Sequence, residues 1–109
     1  MSMYYPEINT DLELTAGKHQ LKEGPGHFDK LIVHLRGDPP PPGQKGAVWR
    51  LWDLVGEVPP GDTPGHIVWA AFTDAPSVQP GCIVDIGFPC KQGILLEVPE
   101  GGVCSVSWL

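Results

Sequence analysis

The sequence predicts an all-β chain that folds as a single antiparallel β-sandwich or small barrel with an N-terminal arm. Its 109 residues fit one domain, and 14 glycines and 13 prolines lie between short apolar segments rather than inside them. Those segments alternate with the period of a strand, and none shows the period of a helix. A hydrophobic content of 41% and four tryptophans argue against a disordered chain.

Residues 1–16 are predicted to form the arm, and residues 17–109 the sandwich domain. The apolar residues of this segment have no clear strand period, which indicates an arm that docks on a partner. The alternative is a frayed terminus. Because adjacent tyrosines and further aliphatic residues are poorly suited to water alone, we expect contacts with a partner. The arm residues assigned to that contact are Tyr4, Tyr5, Ile8 and Leu12.

About seven short strands follow, with glycine and proline turns between them. The predicted strands are Lys18–Lys22, His27–Arg36, Ala47–Leu54, His66–Phe72, Cys82–Phe88, Gly93–Val98 and Val103–Leu109. Alternation places apolar residues on one face of a strand. The apolar faces include Leu31, Val33 and Leu35 in one strand, and Cys82, Val84, Ile86 and Phe88 in another.

The connection from Gly37 to Gly46 contains four consecutive prolines, which favour a stiff polyproline II segment without ladder donors. One interpretation is a docking segment for an aromatic groove, and the other is a rigid connection between strands. The residues assigned to a partner contact here are Pro39, Pro40, Pro41 and Pro42.

Two predicted strands, Ala47–Leu54 and His66–Phe72, are apolar on both faces, although an outer strand normally has one polar face. Extra apolar surface indicates self-association or a partner, and tryptophan is enriched at such interfaces. We therefore assign Trp49, Trp52 and Trp69 to a partner contact. The alternative is a strand buried on both sides within one domain, covered by the arm.

Charge and targeting signals exclude several classes of function. The formal net charge is −6, with a pI of about 4.9, and no basic run is present, so nucleic-acid binding is disfavoured. No apolar stretch has the length of a transmembrane helix, and no signal peptide is visible. Three cysteines favour reduced thiols that serve as small core residues in a protein assembled in the cytoplasm.

No catalytic, metal-binding or cofactor-binding motif is found. The four histidines form no close pair, the cysteines show no C-x-x-C spacing, and no G-x-S-x-G or phosphate-binding loop occurs. Cys90 near a histidine could act as a nucleophile, but a small residue at a strand end explains it more simply. We predict that the chain is not an enzyme and needs no metal or cofactor.

Three segments carry a resemblance to a known family: GKHQLKEGPGHFDKLIVHLRG from Gly17, VWRLWDL from Val48, and GCIVDIGFPCKQGILLEVPEGGVCSVSWL from Gly81. These segments combine strands, a Pro-Gly turn and closing hairpins, and this pattern resembles that of small virion domains of tailed bacteriophages. The resemblance extends from Gly17 to Leu109. The tryptophan content, the tetraproline loop and the acidic balance depart from that pattern.

The resemblance implies a single jelly-roll-like antiparallel β-sandwich with an N-terminal arm, and a role by assembly rather than catalysis. The role expected is that of a capsid decoration, or cement, protein on the outer capsid surface, assembled in the host cytoplasm. Its expected partners are the major capsid protein and further copies of itself, with a trimer favoured over a dimer, and neither nucleic acid nor membrane. One alternative is a receptor- or carbohydrate-binding head-fibre or tail domain, because exposed tryptophans stack on sugars. Another is a small cupin-like enzyme, which would need a clustered metal site.

Overall fold

The computed structural model describes residues 8–43, 47–56 and 66–109, and these contain strands and one short 3-10 helix, Pro76–Val78, but no α-helix. No helix in these ranges has the length and hydrophobicity needed to cross a membrane. The strands are β1 (Asn9–Leu14), β2 (Gly17–Glu23), β3 (Gly26–Arg36), β4 (Val48–Trp52), β5 (Ile67–Phe72), β6 (Ile83–Cys90), β7 (Gly93–Val98) and β8 (Gly102–Trp108).

The strands form two four-stranded antiparallel sheets, which confirms the predicted all-β sandwich. Sheet A has the order β1-β8-β3-β6, and sheet B the order β2-β7-β4-β5. The pairing is nested along the chain, since β1 pairs with β8, β2 with β7, β3 with β6 and β4 with β5. Contacts between β3 and β8 and between β4 and β7 complete the sheets.

The core lies between the two sheets and is formed by the inward face of each strand, as the period of 2 predicts. Trp49 at its centre is fully buried, and its indole Nε1 donates to the backbone oxygen of Arg36 at 2.8 Å. The buried cluster consists of Phe28, Leu31, Val33, Trp49, Leu51, Val78, Cys90, Ile94, Leu96, Val98, Cys104, Val106 and Trp108.

Part of the segment predicted to be an arm, residues 1–16, forms a strand of the sandwich. Asn9–Leu14 forms β1 at the edge of sheet A and pairs with β8, from Asn9 opposite Trp108 to Leu14 opposite Cys104. Glu13 has φ of +57°, and the register shifts between Asp11 and Leu14. This bulge interrupts the alternation and explains why the sequence shows no strand period there.

Strand β6 is longer than predicted, since it continues through Pro89 to Cys90. Pro89 lies opposite His27 on an edge strand, where the missing N–H costs no ladder bond on the open side. Alternation placed Leu35 and Phe88 on the apolar faces of their strands. This placement is wrong for both residues, because both side chains are exposed. Register shifts lie next to both residues, between Val33 and Leu35 and between Phe28 and Lys30, so the simple alternation does not extend to them.

Candidate interaction surfaces

The outer face of sheet A carries a row of exposed aliphatic side chains. Ile32 of β3 lies opposite Ile83 of β6 on one side and Ser105 of β8 on the other. Leu12 of β1 adjoins Ser105 and Ile32 on the same face. The exposed fractions are 75% for Leu12, 38% for Ile32 and 62% for Ile83. The row therefore crosses all four strands of a face that is expected to be polar in an isolated domain.

A depression interrupts this row at its one small residue. Ser105 stands between Leu12 and Ile32, and its short side chain leaves a space of about 150 Å³ between the two aliphatic groups. The remaining lining residues are Thr10, Lys30, Val106 and Ser107. The depression is thus an apolar socket between Leu12 and Ile32, with polar side chains along one side.

A polar row runs beside the aliphatic row. Thr10 lies opposite Ser107, Ser107 opposite Lys30, and Lys30 opposite Asp85. The hydroxyl of Ser107 donates to Asp29 Oδ2 at 2.9 Å, so the Ser107 oxygen can accept a further hydrogen bond. Lys30 and Asp85 have no ion pair within the part of the chain that the structure describes.

Ser105, which lines the depression, also contacts a histidine. His34 Nε2 lies 2.7 Å from Ser105 Oγ, which also accepts the backbone N–H of Glu13 at 3.1 Å. Ser105 thereby links β8 to β1 and β3. Among the described side chains, none hydrogen-bonds the other ring nitrogen of His34.

The outer face of sheet B carries a second apolar surface, which we call the β4–β5 groove. It has a volume of about 210 Å³ and is lined by Val48, Arg50, Ile67, Ala70, Ala71 and Phe72. Val48 lies opposite Phe72, and Arg50 opposite Ala70. The guanidinium of Arg50 forms an ion pair with Glu97 Oε2 at 3.2 Å, which fixes one charged wall of an otherwise apolar groove.

The structure distributes the predicted contact residues over several environments. Tyr4 and Tyr5 lie outside the described residues, whereas Ile8 and Leu12 are exposed. In the tetraproline loop, Pro40 is half-buried and the other three prolines are exposed. Among the members of this set that the structure describes, Leu12 alone lines one of the surfaces described above.

The assignment of Trp49 and Trp52 to a partner contact is wrong, because both are buried within the chain, with exposed fractions of 0% and 1%. Trp49 belongs to the core, and Trp52 packs with Leu54 and Leu95 outside sheet B. Their burial removes the indole faces on which the carbohydrate-binding alternative depended. Trp69 is half-buried against the core.

The sequence interpretation missed Ile32 and Ile83. Each is an aliphatic residue on a face whose other members are polar: Lys30 and His34 flank Ile32, and Asp85 follows Ile83 by two residues. An isoleucine at a polar position of an alternating strand was the signal that could have identified them.

Asp53 connects the end of β4 to the turn between β6 and β7. Its carboxylate accepts backbone N–H groups from Lys91, Gln92 and Gly93 at 3.0, 2.8 and 3.2 Å. Burial opposes ionisation of this carboxyl, but the three N–H groups and the nearby His66 outweigh it, and the pKa of Asp53 lies below its usual value. The role of this carboxylate is to hold a turn.

Two of the three cysteines are core residues, as predicted. Burial raises the pKa of Cys104 to about 12, and burial together with the charge of Asp53 raises the pKa of Cys90 to about 11. Both are therefore neutral thiols at physiological pH. Cys82 is half-buried, and its thiol donates to the backbone oxygen of Pro76 at 3.6 Å.

Within residues 8–43, 47–56 and 66–109, no group of three or more histidine, cysteine, aspartate or glutamate side chains could hold a metal ion. A comparison of the chain with protein-family models, curated proteins and solved structures found no match.

Proposed function

We propose that this chain is a non-catalytic virion structural protein of the capsid decoration type, which self-associates and binds neighbouring major capsid subunits. A protein with this task needs two surfaces, one for its own copies and one for the shell. Symmetric repetition of both contacts converts weak individual contacts into stable attachment.

The observation that carries the proposal is the presence of apolar surface on both outer faces of the sandwich. The aliphatic row of sheet A and the β4–β5 groove of sheet B point in opposite directions, because the two sheets pack through their inner faces. A sandwich that contacts only water would present polar outer faces. Two separate apolar surfaces support simultaneous contact with two partners.

The connectivity gives further support. The nested pairing of β1 with β8 through β4 with β5 is what a jelly roll requires, as a long antiparallel ribbon rolled into two sheets. Jelly rolls recur in viral capsid proteins. Because one fold serves many functions, the connectivity supports the proposal less strongly than the two apolar surfaces do.

The test uses the major capsid protein encoded in the same genome as this chain. Shells assembled from that protein alone are mixed with the purified full chain and pelleted. We expect the chain to pellet with the shells and to saturate at a fixed ratio to capsid subunits. A chain that stays in the supernatant at every concentration, or a genome that encodes no capsid protein, would overturn the proposal.

A matched pair of variants tests whether the β4–β5 groove holds the shell. Ala70 lines the groove and Ala16 lies exposed between β1 and β2. Ala70→Arg places a bulky cation beside Arg50 and is expected to abolish pelleting, whereas Ala16→Arg adds the same charge elsewhere and is expected to leave it unchanged. Equal pelleting by both variants would show that the shell binds another surface.

A further inference from the structure

We propose that a second copy of this chain packs on the outer face of sheet A, across a two-fold axis that runs close to parallel with the strands between β8 and β3. This inference rests on the proposed function only for the claim that the chain self-associates. It specifies the surface, the symmetry and the residues that meet.

Such an axis aligns the two rows of one copy with the matching rows of the other. A two-fold axis parallel to the strands keeps each position along the strands and exchanges the two sides of the sheet. The aliphatic row then lies on the partner's aliphatic row, and the polar row on the partner's polar row. Leu12 of one edge meets the partner's Ile83 from the other edge, and the same contact is repeated by symmetry.

The depression at Ser105 provides a socket for a side chain of the second copy. The same axis exchanges β3 with β8, so Ile32 of each copy stands over the partner's Ser105. Ser105 is the floor of the 150 Å³ depression between Leu12 and Ile32. Each copy therefore supplies one aliphatic side chain and one socket that receives it. This arrangement is self-complementary, as an isologous contact must be.

The polar rows of the two copies are complementary in this arrangement. The axis sets the charged half of the polar row against the hydroxyl half. Lys30, which can only donate, faces the partner's Ser107, whose own proton is held by Asp29 and whose oxygen can accept. Asp85, which can only accept, faces the partner's Thr10 hydroxyl, which can donate. No group on this row is left opposite a like charge.

The size of the face sets the strength of the contact with a second copy. Strands about 4.8 Å apart make the four-stranded face roughly 19 Å wide, and strand lengths make it roughly 20–35 Å long. The product is roughly 400–650 Å², below the roughly 800 Å² per partner of a standard interface, so the contact is expected to be weak and reversible.

Self-association is tested by sedimentation velocity of the purified full chain over a hundredfold range of concentration. We expect a reversible monomer–dimer equilibrium. Ile32→Glu buries an unpaired charge in the socket and is expected to raise the dissociation constant at least about 100-fold. Val55→Glu, at an exposed valine away from sheet A, is the control and is expected to leave the equilibrium unchanged. A monomer or a trimer for the unmodified chain would overturn the inference.

A cross-linking variant tests the geometry without destabilising the fold. Positions 12 and 83 lie on opposite edges of sheet A, about 14 Å apart, too far for a disulfide within one chain. With Cys82→Ser to remove the half-buried thiol, Leu12→Cys with Ile83→Cys is expected to give a covalent dimer on oxidation. Either cysteine substitution alone is expected to give none. A double variant that remains monomeric would overturn the inference.

Shell pelleting separates the two proposals. A dimer with the predicted cross-link that does not bind shells would contradict the proposed function and leave the two-fold contact intact. Shell binding by a chain that does not form the cross-link would contradict the two-fold contact and leave the proposed function intact.

Discussion

The carboxylate of Asp53 accepts a hydrogen bond from the backbone N–H of Gln92 at 2.8 Å, and so fixes the turn between β6 and β7 to the end of β4. The turn joins sheet A to sheet B, because β6 belongs to one and β7 to the other. One charged side chain thus stabilises a crossing between the two layers of the sandwich.

Asp53→Asn is expected to lower the free energy of unfolding by about 1–2 kcal/mol at neutral pH, since the amide cannot reproduce all three charge-assisted bonds. Because the folded pKa of Asp53 is lowered, the stability that Asp53 contributes is complete above the ordinary aspartate pKa of 3.8 and is lost as the pH falls through the folded pKa. Urea denaturation at several pH values measures the difference. It should shrink below about pH 4, and Asp74→Asn, at an exposed aspartate, should show little difference at any pH.

Gly93→Ala is expected to destabilise the fold by about 1–3 kcal/mol. An added Cβ would lie 2.8 Å from the backbone oxygen of Lys22 and 2.9 Å from that of Leu54, besides 2.6 Å from the Val55 side chain. Thermal unfolding measures the loss. Val55→Ala in the same chain removes only the side-chain contact, so it should recover little of the stability. Full recovery of the stability would mean that contact between the added Cβ and the two backbone oxygens does not cause the loss.

The strand positions could be predicted because turns and alternation are local. The segment Gly93–Val98 was predicted with the bounds that β7 has, and the final strand was predicted within one residue at each end. Strand β1 could not be predicted in the same way. It is held by pairing with β8, nearly the whole chain away, and the bulge at Glu13 removes its local pattern.

The contact surface was harder to predict than the fold, because burial depends on distant partners. Trp49 and Trp52 were assigned to a partner, yet Leu54 and Leu95 help to cover Trp52 from within the chain. A surplus of apolar residues in one strand indicates that both of its faces are covered. The sequence alone does not say whether residues of the same chain or of a partner cover the second face. Ile32 and Ile83 indicate a contact surface because the pairing of β3 with β6 places them side by side, and that adjacency is not visible in the sequence.

Trp49→Phe is expected to lower the free energy of unfolding by about 1 kcal/mol more than Trp52→Phe. Both indoles are buried, so both substitutions lose similar packing. Trp49 also loses a 2.8 Å hydrogen bond to the Arg36 carbonyl, whereas the bond from Trp52 to Glu97 is long, at 3.4 Å. Chemical denaturation of the two variants under one condition makes the comparison, and equal losses would contradict the importance of the Arg36 contact.

Thiol labelling provides a test of the core assignment. Cys90 and Cys104 are buried, and their raised pKa values, about 11 and about 12, keep them protonated at neutral pH, so a thiolate-selective reagent should not reach them in the folded chain. Cys82 is half-buried and is expected to react alone, giving one labelled thiol per native chain and three after unfolding. Cys82→Ser should therefore abolish labelling of the folded protein and leave the other two thiols reactive in denaturant. Rapid native labelling of the Cys82→Ser variant would mean that the sandwich opens at β6 or β8, because those strands carry Cys90 and Cys104.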